Sequence, residues 1–173
     1  MLLVACGEEK TATPKEVTPT VEDKDATTVE TTAATEKTFI LPESRASDFI
    51  DKTFGDKTNT SKNRVKSIAK DAYRFKVVLN SDKDSIADVM RTDLLSKSAE
   101  LFQELYTYKD IKPNISIEWI MPLVDVYGNE QDQIVLRIVL HKSEISQINW
   151  VNFDYNNFEK IADEYFEHSV LSK

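Results

Sequence analysis

Glycine is scarce in this chain: Gly7, Gly55 and Gly128 are the only three among 173 residues. Phosphate-cradling loops and dinucleotide fingerprints need several glycines within a few residues, so that backbone amides can approach the phosphate. No stretch here supplies them. Cysteine is scarcer still, and Cys6 stands alone, so no disulfide framework is available within the chain. No run approaches the roughly 20 apolar residues of a membrane span. Positive charge is also in deficit. Lys and Arg total 22 against 30 Asp and Glu, a net charge of −8. Nucleic-acid affinity rests on clustered cations facing phosphates, so no nucleic-acid partner is expected.

What is present suits one soluble domain with a tail. The apolar fraction is 40%, enough for a buried core. Residues 7–37 carry no apolar periodicity and are rich in Thr, Glu, Lys and Pro. They hold eight acids and four bases, a net −4 and half of the chain's total. Such a stretch buries too little to offset its ordering entropy, so a disordered tether is expected. As a flexible coil it would span roughly 30 Å.

Ahead of it stands Leu3-Val4-Ala5-Cys6: an aliphatic residue, a small residue, then cysteine. This resembles the lipobox of bacterial lipoproteins. The resemblance implies cleavage before Cys6, thioether lipidation of its sulfur and residence on the extracytoplasmic face of the cell membrane. The expected organisation is then a signal-peptide remnant at 1–5, lipidated Cys6 with its tether to residue 37, and a globular domain over 38–173.

Within that domain the apolar pattern predicts α-β-β-α-β-β-α. Ser44 is placed to cap a helix carrying Phe49, Ile50 and Phe54, which Gly55 ends. Tyr73, Phe75, Val77 and Leu79 alternate as in a strand, with 64–69 as its hairpin partner. Ser85 and Asp88 resemble a capping box for a helix from about 85 to 108. Its apolar stripe is Ile86, Val89, Met90, Leu94, Leu101, Phe102 and Leu105. Two further strands follow: Ile115 to Met121, interrupted at Pro122, and Ile134 to Leu140. Ser143 to Trp150 reads as a helical turn. A last helix is expected from about 154 to 170, with Phe158, Ile161, Ala162, Tyr165 and Phe166 inward. The fold class is therefore α+β. An antiparallel sheet of about four strands, in two hairpins, would carry its helices on one face.

Pro122 to Asn129, with Ile148-Asn149-Trp150 downstream, is similar to a pattern in small uncharacterised surface lipoproteins of Gram-positive bacteria and their mobile elements. The resemblance supports localisation and fold and implies no particular chemistry; one specific version of the function that it suggests is a mobile-element exclusion-type protein.

No catalytic residue, metal ligand or cofactor is assigned. HExxH and GxSxG are absent, and neither His141 nor His168 has the spacing of a zinc site. Asp82, Asp84 and Asp93 have the length of a calcium loop. Ala87 stands where its glycine belongs, however, and Ile86 at a ligand position. The acidic turn Asp125–Asp132 is left open as a calcium site. Glu118 and Asp125, and Asp163, Glu164 and Glu167, read as solvated carboxylates.

The one local anomaly is basic. Arg64, Lys66, Lys70, Arg74 and Lys76 crowd a chain that is otherwise acidic, and on paired strands Arg64 would share a face with Lys66, and Arg74 with Lys76. One reading is a candidate patch for an anionic polymer, lipid or acidic envelope protein. The other is a solvated sheet face with lysines guarding an edge. The expected function is a non-catalytic binding module anchored to the membrane by lipid. The alternative is an envelope hydrolase acting on wall or peptide substrates.

Overall fold

A computed structural model describes residues 42–111 and 114–172. Cys6, the stretch 7–37 and Phe39-Ile40-Leu41 lie outside the described residues.

Helix α1 (Pro42–Phe54) opens on Pro42, whose missing N–H costs nothing in a first turn. Ala46, Ile50 and Phe54 are buried at four-residue spacing, one stripe down the helix. Gly55 follows at φ +83°, a conformation that glycine adopts without strain. Strands β1 (Val65–Lys70) and β2 (Arg74–Asn80) form the expected antiparallel hairpin, with a bulge between Val65 and Ser67. Its turn is held by Asp71, whose carboxylate accepts from the amides of Tyr73 and Arg74, both at 2.7 Å.

Helix α2 (Ala87–Tyr106) then crosses the sheet to β3 (Asn114–Val124), which pairs with β4 (Glu130–His141). The expectation of a four-stranded antiparallel sheet fails here. There are five strands in the order β1-β2-β3-β4-β5, and β2 and β3 run parallel. A helix of 20 residues is about 30 Å long, more than the length of β2, so it carries the chain back to the end where β2 began. The next strand must then run the same way as β2.

The expected capping box does not form. Ile86 is the N-cap, in extended conformation and without a side-chain cap, and its amide donates instead to Asp84 Oδ1 at 3.0 Å. Ile86 and Val89 therefore face solvent, not the core. Pro122 does not interrupt β3, where the bulge lies between Trp119 and Ile120. Strand β2 ends opposite Ile120, so Pro122 sits on a stretch with a free edge, where a missing donor is tolerated.

The C-terminal segment departs furthest from expectation. Helix α3 spans only Lys142–Ile145, and a 3-10 turn (Tyr155–Asn157) leads into a single turn, α4 (Phe158–Ile161). The backbone is extended at Ala162, β5 (Glu164–Glu167) pairs antiparallel with β4, and a 3-10 turn closes at Ser169–Leu171. Asp163 and His168 donate their amides to Val139 and Val135 of β4 at 2.9 and 2.8 Å. The free ladder of β4 has overridden a helical period. Phe166, expected inward, is exposed.

The core lies on one face of the sheet. Phe75, Val77, Leu79, Ile115, Ile117, Trp119, Leu136, Ile138 and Leu140 meet the buried residues of α1, α2, α3 and α4 and Leu171 in one cluster. Each such side chain contributes about 1.5–3 kcal/mol by leaving water. Helices on one face agree with the sequence pattern. The second face carries none of the described helices.

Candidate functional site

The five basic residues singled out in the sequence do not form a free patch. Arg64 precedes β1 and is buried, not exposed on a strand face. Its guanidinium donates to the carbonyls of Asn80 (3.0 Å) and Lys57 (3.1 Å) and to both oxygens of Asp82 (2.9 and 2.8 Å). A planar fork of donors suits such a cage better than a lysine would. Arg64 and Lys66 therefore do not share a face.

Lys66 joins Lys62 on Asp132, at 2.9 and 3.0 Å. Arg74 pairs with Glu164 at 3.2 Å and Lys76 with Glu118 at 2.9 Å. Arg74 and Lys76 do share the helix-free face. Lys70 is exposed at the end of β1.

The centre of that face is Glu118, with a nearly buried side chain. One carboxylate oxygen takes Lys76 Nζ and the other Arg137 Nε, both at 2.9 Å. Arg137 lies directly opposite Glu118 on β4, a cross-strand pairing that the sequence pattern does not reveal without the register. Five cations (Lys62, Lys66, Arg74, Lys76 and Arg137) thus meet three carboxylates (Asp132, Glu118 and Glu164). The sum is +2, on a chain of −8.

A second feature lies at the C-terminal end, where sequence reasoning expected a plain helix. An open pocket of about 500 Å³ is formed by residues between Glu144 and Ile161, within the size range of small-ligand sites. Its rim is polar: Glu144, Gln147, Asn149, Asn152, Asp154 and Asn157. Ile148, Phe153 and Ile161 supply its apolar floor. The signal was present in the sequence. Residues 148–158 hold four asparagines and four aromatic residues, an abundance unusual for a solvated helix.

The pocket is built by short turns. His141 caps α3 by accepting from the amide of Ser143, and Gln147 donates to the Ser143 carbonyl at 3.2 Å. Asp154 caps the 3-10 turn through the Asn156 amide at 2.9 Å. Phe153 lies 5.0 Å from Phe158 by ring centroids, and Phe158 lies 5.6 Å from Phe102 of α2. This aromatic chain ties the pocket floor to the core.

Both rim carboxyls are held below the usual carboxylate range. The Ser143 hydroxyl, 2.8 Å away, does this chiefly for Glu144, and the Asn156 amide for Asp154. Each remains ionised at neutral pH.

The remaining acidic candidates are engaged within the fold. Asp82 is held by Arg64 and Lys97. Asp132 is taken by two lysines, and the Asp125 carboxylate accepts from the amides of Tyr127 and Asn129 at 2.9 and 2.8 Å. These carboxylates are turned to lysines and turn amides rather than to a common point. His168 caps the final 3-10 turn and does not end a helix.

Comparison of the chain with protein-family models, curated proteins and solved structures finds no match.

Proposed function

We propose that this chain is a lipid-anchored protein of the extracytoplasmic face that acts as a non-catalytic binding module at the cell envelope. The anchoring half of the reading rests on Leu3-Val4-Ala5-Cys6. The binding half rests on the pocket between α3 and α4, whose titratable groups are committed to fixed hydrogen bonds.

Hydrolysis by general acid catalysis needs a carboxyl that keeps its proton near neutral pH, which burial or a neighbouring carboxylate would provide. Glu144 and Asp154 are shifted the opposite way. They are acceptors, and the amides beside them are donors and acceptors. Ionised acceptors beside amide donors and acceptors suit recognition of a ligand, and neither carboxyl is set up as a general acid. This supports the binding module over a hydrolase that would use Glu144 or Asp154 as its general acid.

The test is incubation of the full chain with purified Gram-positive wall and membrane fractions. Retention of the chain without release of soluble sugar or peptide is the expected result. Release exceeding one product per chain would overturn the non-catalytic reading.

A further inference from the structure

We propose that the pocket between α3 and α4 is a subsite for a neutral glycan, bearing hydroxyl and acetamido groups and no net charge. The inference rests on the reading of the chain as a binding module and names the ligand of that module's pocket.

Three features of the site select this chemistry. The first is the amides. Asn149 and Asn152 are exposed on the rim, and among the described residues their side chains have no hydrogen-bond partner. A primary amide offers a carbonyl acceptor and two N–H donors. A sugar hydroxyl likewise donates and accepts, so amides and hydroxyls match in a way that lysine or arginine does not.

The second is charge. Glu144 and Asp154 stand on the same rim as acceptors that stay ionised. Phosphate-rich or carboxylate-rich polymers meet like charge here, whereas hydroxyls donate to these oxygens. The anionic polymers that the basic strands first suggested are therefore excluded from this pocket.

The third is the floor. Phe153 is packed against Trp150 at 5.5 Å and against Phe158 at 5.0 Å, both edge-on. An apolar surface ringed by polar groups suits the C–H face of a pyranose or the methyl of an acetamido group. Because Phe153 is fixed through Phe158 to the core, little ordering is left for the ligand to bring about.

Trp150, packed on Phe153 behind the pocket floor, provides one readout, and calorimetry of the same titration provides a second that does not depend on it. The other tryptophan, Trp119, is fully buried, so a ligand-induced change in fluorescence reports on the pocket. The full chain is titrated with an N-acetylglucosamine tetramer, and in parallel with polyphosphate and with a lysine-containing peptide. The expected result is a saturable Trp150 response to the tetramer alone, weakened by about tenfold or more in Asn149→Ala with Asn152→Ala. Lys70→Glu, on a distant strand end, should leave it unchanged.

No binding of millimolar tetramer by fluorescence or calorimetry overturns the inference, as does equal binding by the asparagine variant or binding of the peptide or polyphosphate in place of the glycan. The same double variant separates this idea from the wider one. Wall retention that survives it leaves the module reading standing and removes the glycan pocket. Tetramer binding by a chain that the envelope fractions do not retain does the reverse.

Discussion

The indole N–H of Trp119 donates to Ser98 Oγ at 2.9 Å, and that hydroxyl donates in turn to the Leu94 carbonyl at 2.7 Å. Trp119 and Ser98 are both fully buried. This short relay fixes α2 on β3, the strand reached only after the crossover. Ser98→Ala removes the acceptor and leaves a buried indole N–H unpaired, at a cost of about 1–3 kcal/mol. Urea denaturation measures it. In a Trp119→Phe background the same substitution should cost clearly less, because no donor is stranded. Equal costs in both backgrounds would show that the relay is not what binds the two elements.

Glu167 anchors the C-terminal strand. Arg91 of α2 places its Nε 3.0 Å from both carboxylate oxygens, and the hydroxyls of Tyr165 and Ser172 donate to the same group. Burial alone pushes this carboxyl up, but the Tyr165 hydroxyl, the Arg91 guanidinium and the Ser172 hydroxyl together outweigh it and hold it below the usual range. A carboxyl lowered by folding stabilises the native state above its unfolded value of about 4.3. That stability is lost as pH falls through the lower folded value. Wild type should therefore be more stable than Glu167→Gln at pH 6, with the difference closing toward pH 3. A gap that stays constant with pH would refute the linkage.

How much of this was legible in the sequence follows from which signals are local. Alternation at Phe75, Val77 and Leu79, the stripe from Met90 to Leu105 and the breaker Gly55 are local, and each marks the element the structure contains. The parallel pairing of β2 with β3 is not local, because it depends on where a long helix returns the chain. The C-terminal misreading has a sharper cause. Phe158, Ile161, Ala162 and Tyr165 fit a helical period, yet β4 offers an unpaired edge that captures Glu164–Glu167. The same misreading hid the pocket, since Asn149 and Asn152 become neighbours on a rim only when the segment folds as turns. Arg64 was misplaced because its burial depends on Asp82, 18 positions away.

The β3–β4 hairpin tip gives a prediction about rigidity and metal. Gly128 has φ +86° and open space around the position of a Cβ. Gly128→Ala should cost about 1 kcal/mol through backbone strain alone. Tyr127→Ala, on a side chain that is almost wholly exposed, should stay within about 0.5 kcal/mol of wild type. Asp125→Ala should lower the urea midpoint, because it strips the acceptor from two turn amides. The Asn129 amide, with those of its neighbours, also holds the Asp125 carboxyl low, so its oxygens are already engaged. Millimolar calcium should leave the thermal midpoint unchanged. An upward shift would reveal a site at this turn, since an ion bound to the native state raises its stability by mass action.

Cys6 carries the anchoring proposal, and its chemistry is directly measurable. Metabolic labelling with a clickable fatty acid, in cells expressing the full-length precursor, should tag wild type and not Cys6→Ser. The labelled protein should fractionate with membranes. A single acyl chain holds a protein only reversibly, so stable fractionation requires the multiple chains of a lipoprotein anchor. Equal labelling of both proteins would end the lipoprotein reading while leaving the pocket untouched.

The last prediction is an asymmetry at Glu118. Its side chain is 5% exposed, whereas those of Lys76 and Arg137 are 40% and 34% exposed. The three are therefore not equivalent when one side of the cluster is removed. Glu118→Gln leaves two cations that water still reaches, so the loss is modest, about 1 kcal/mol. Lys76→Met with Arg137→Met leaves a carboxylate with neither cation nor adequate water, and desolvation then dominates. That loss should reach about 3 kcal/mol. The triple substitution, with Glu118→Leu in place of the stranded carboxylate, should recover most of it, since an apolar replacement removes the buried charge altogether. Urea denaturation of the three variants decides the matter. If the double methionine variant proves no less stable than Glu118→Gln, Glu118 is better hydrated than its burial implies. The lattice on the helix-free face is then a set of solvated pairs with little bearing on stability.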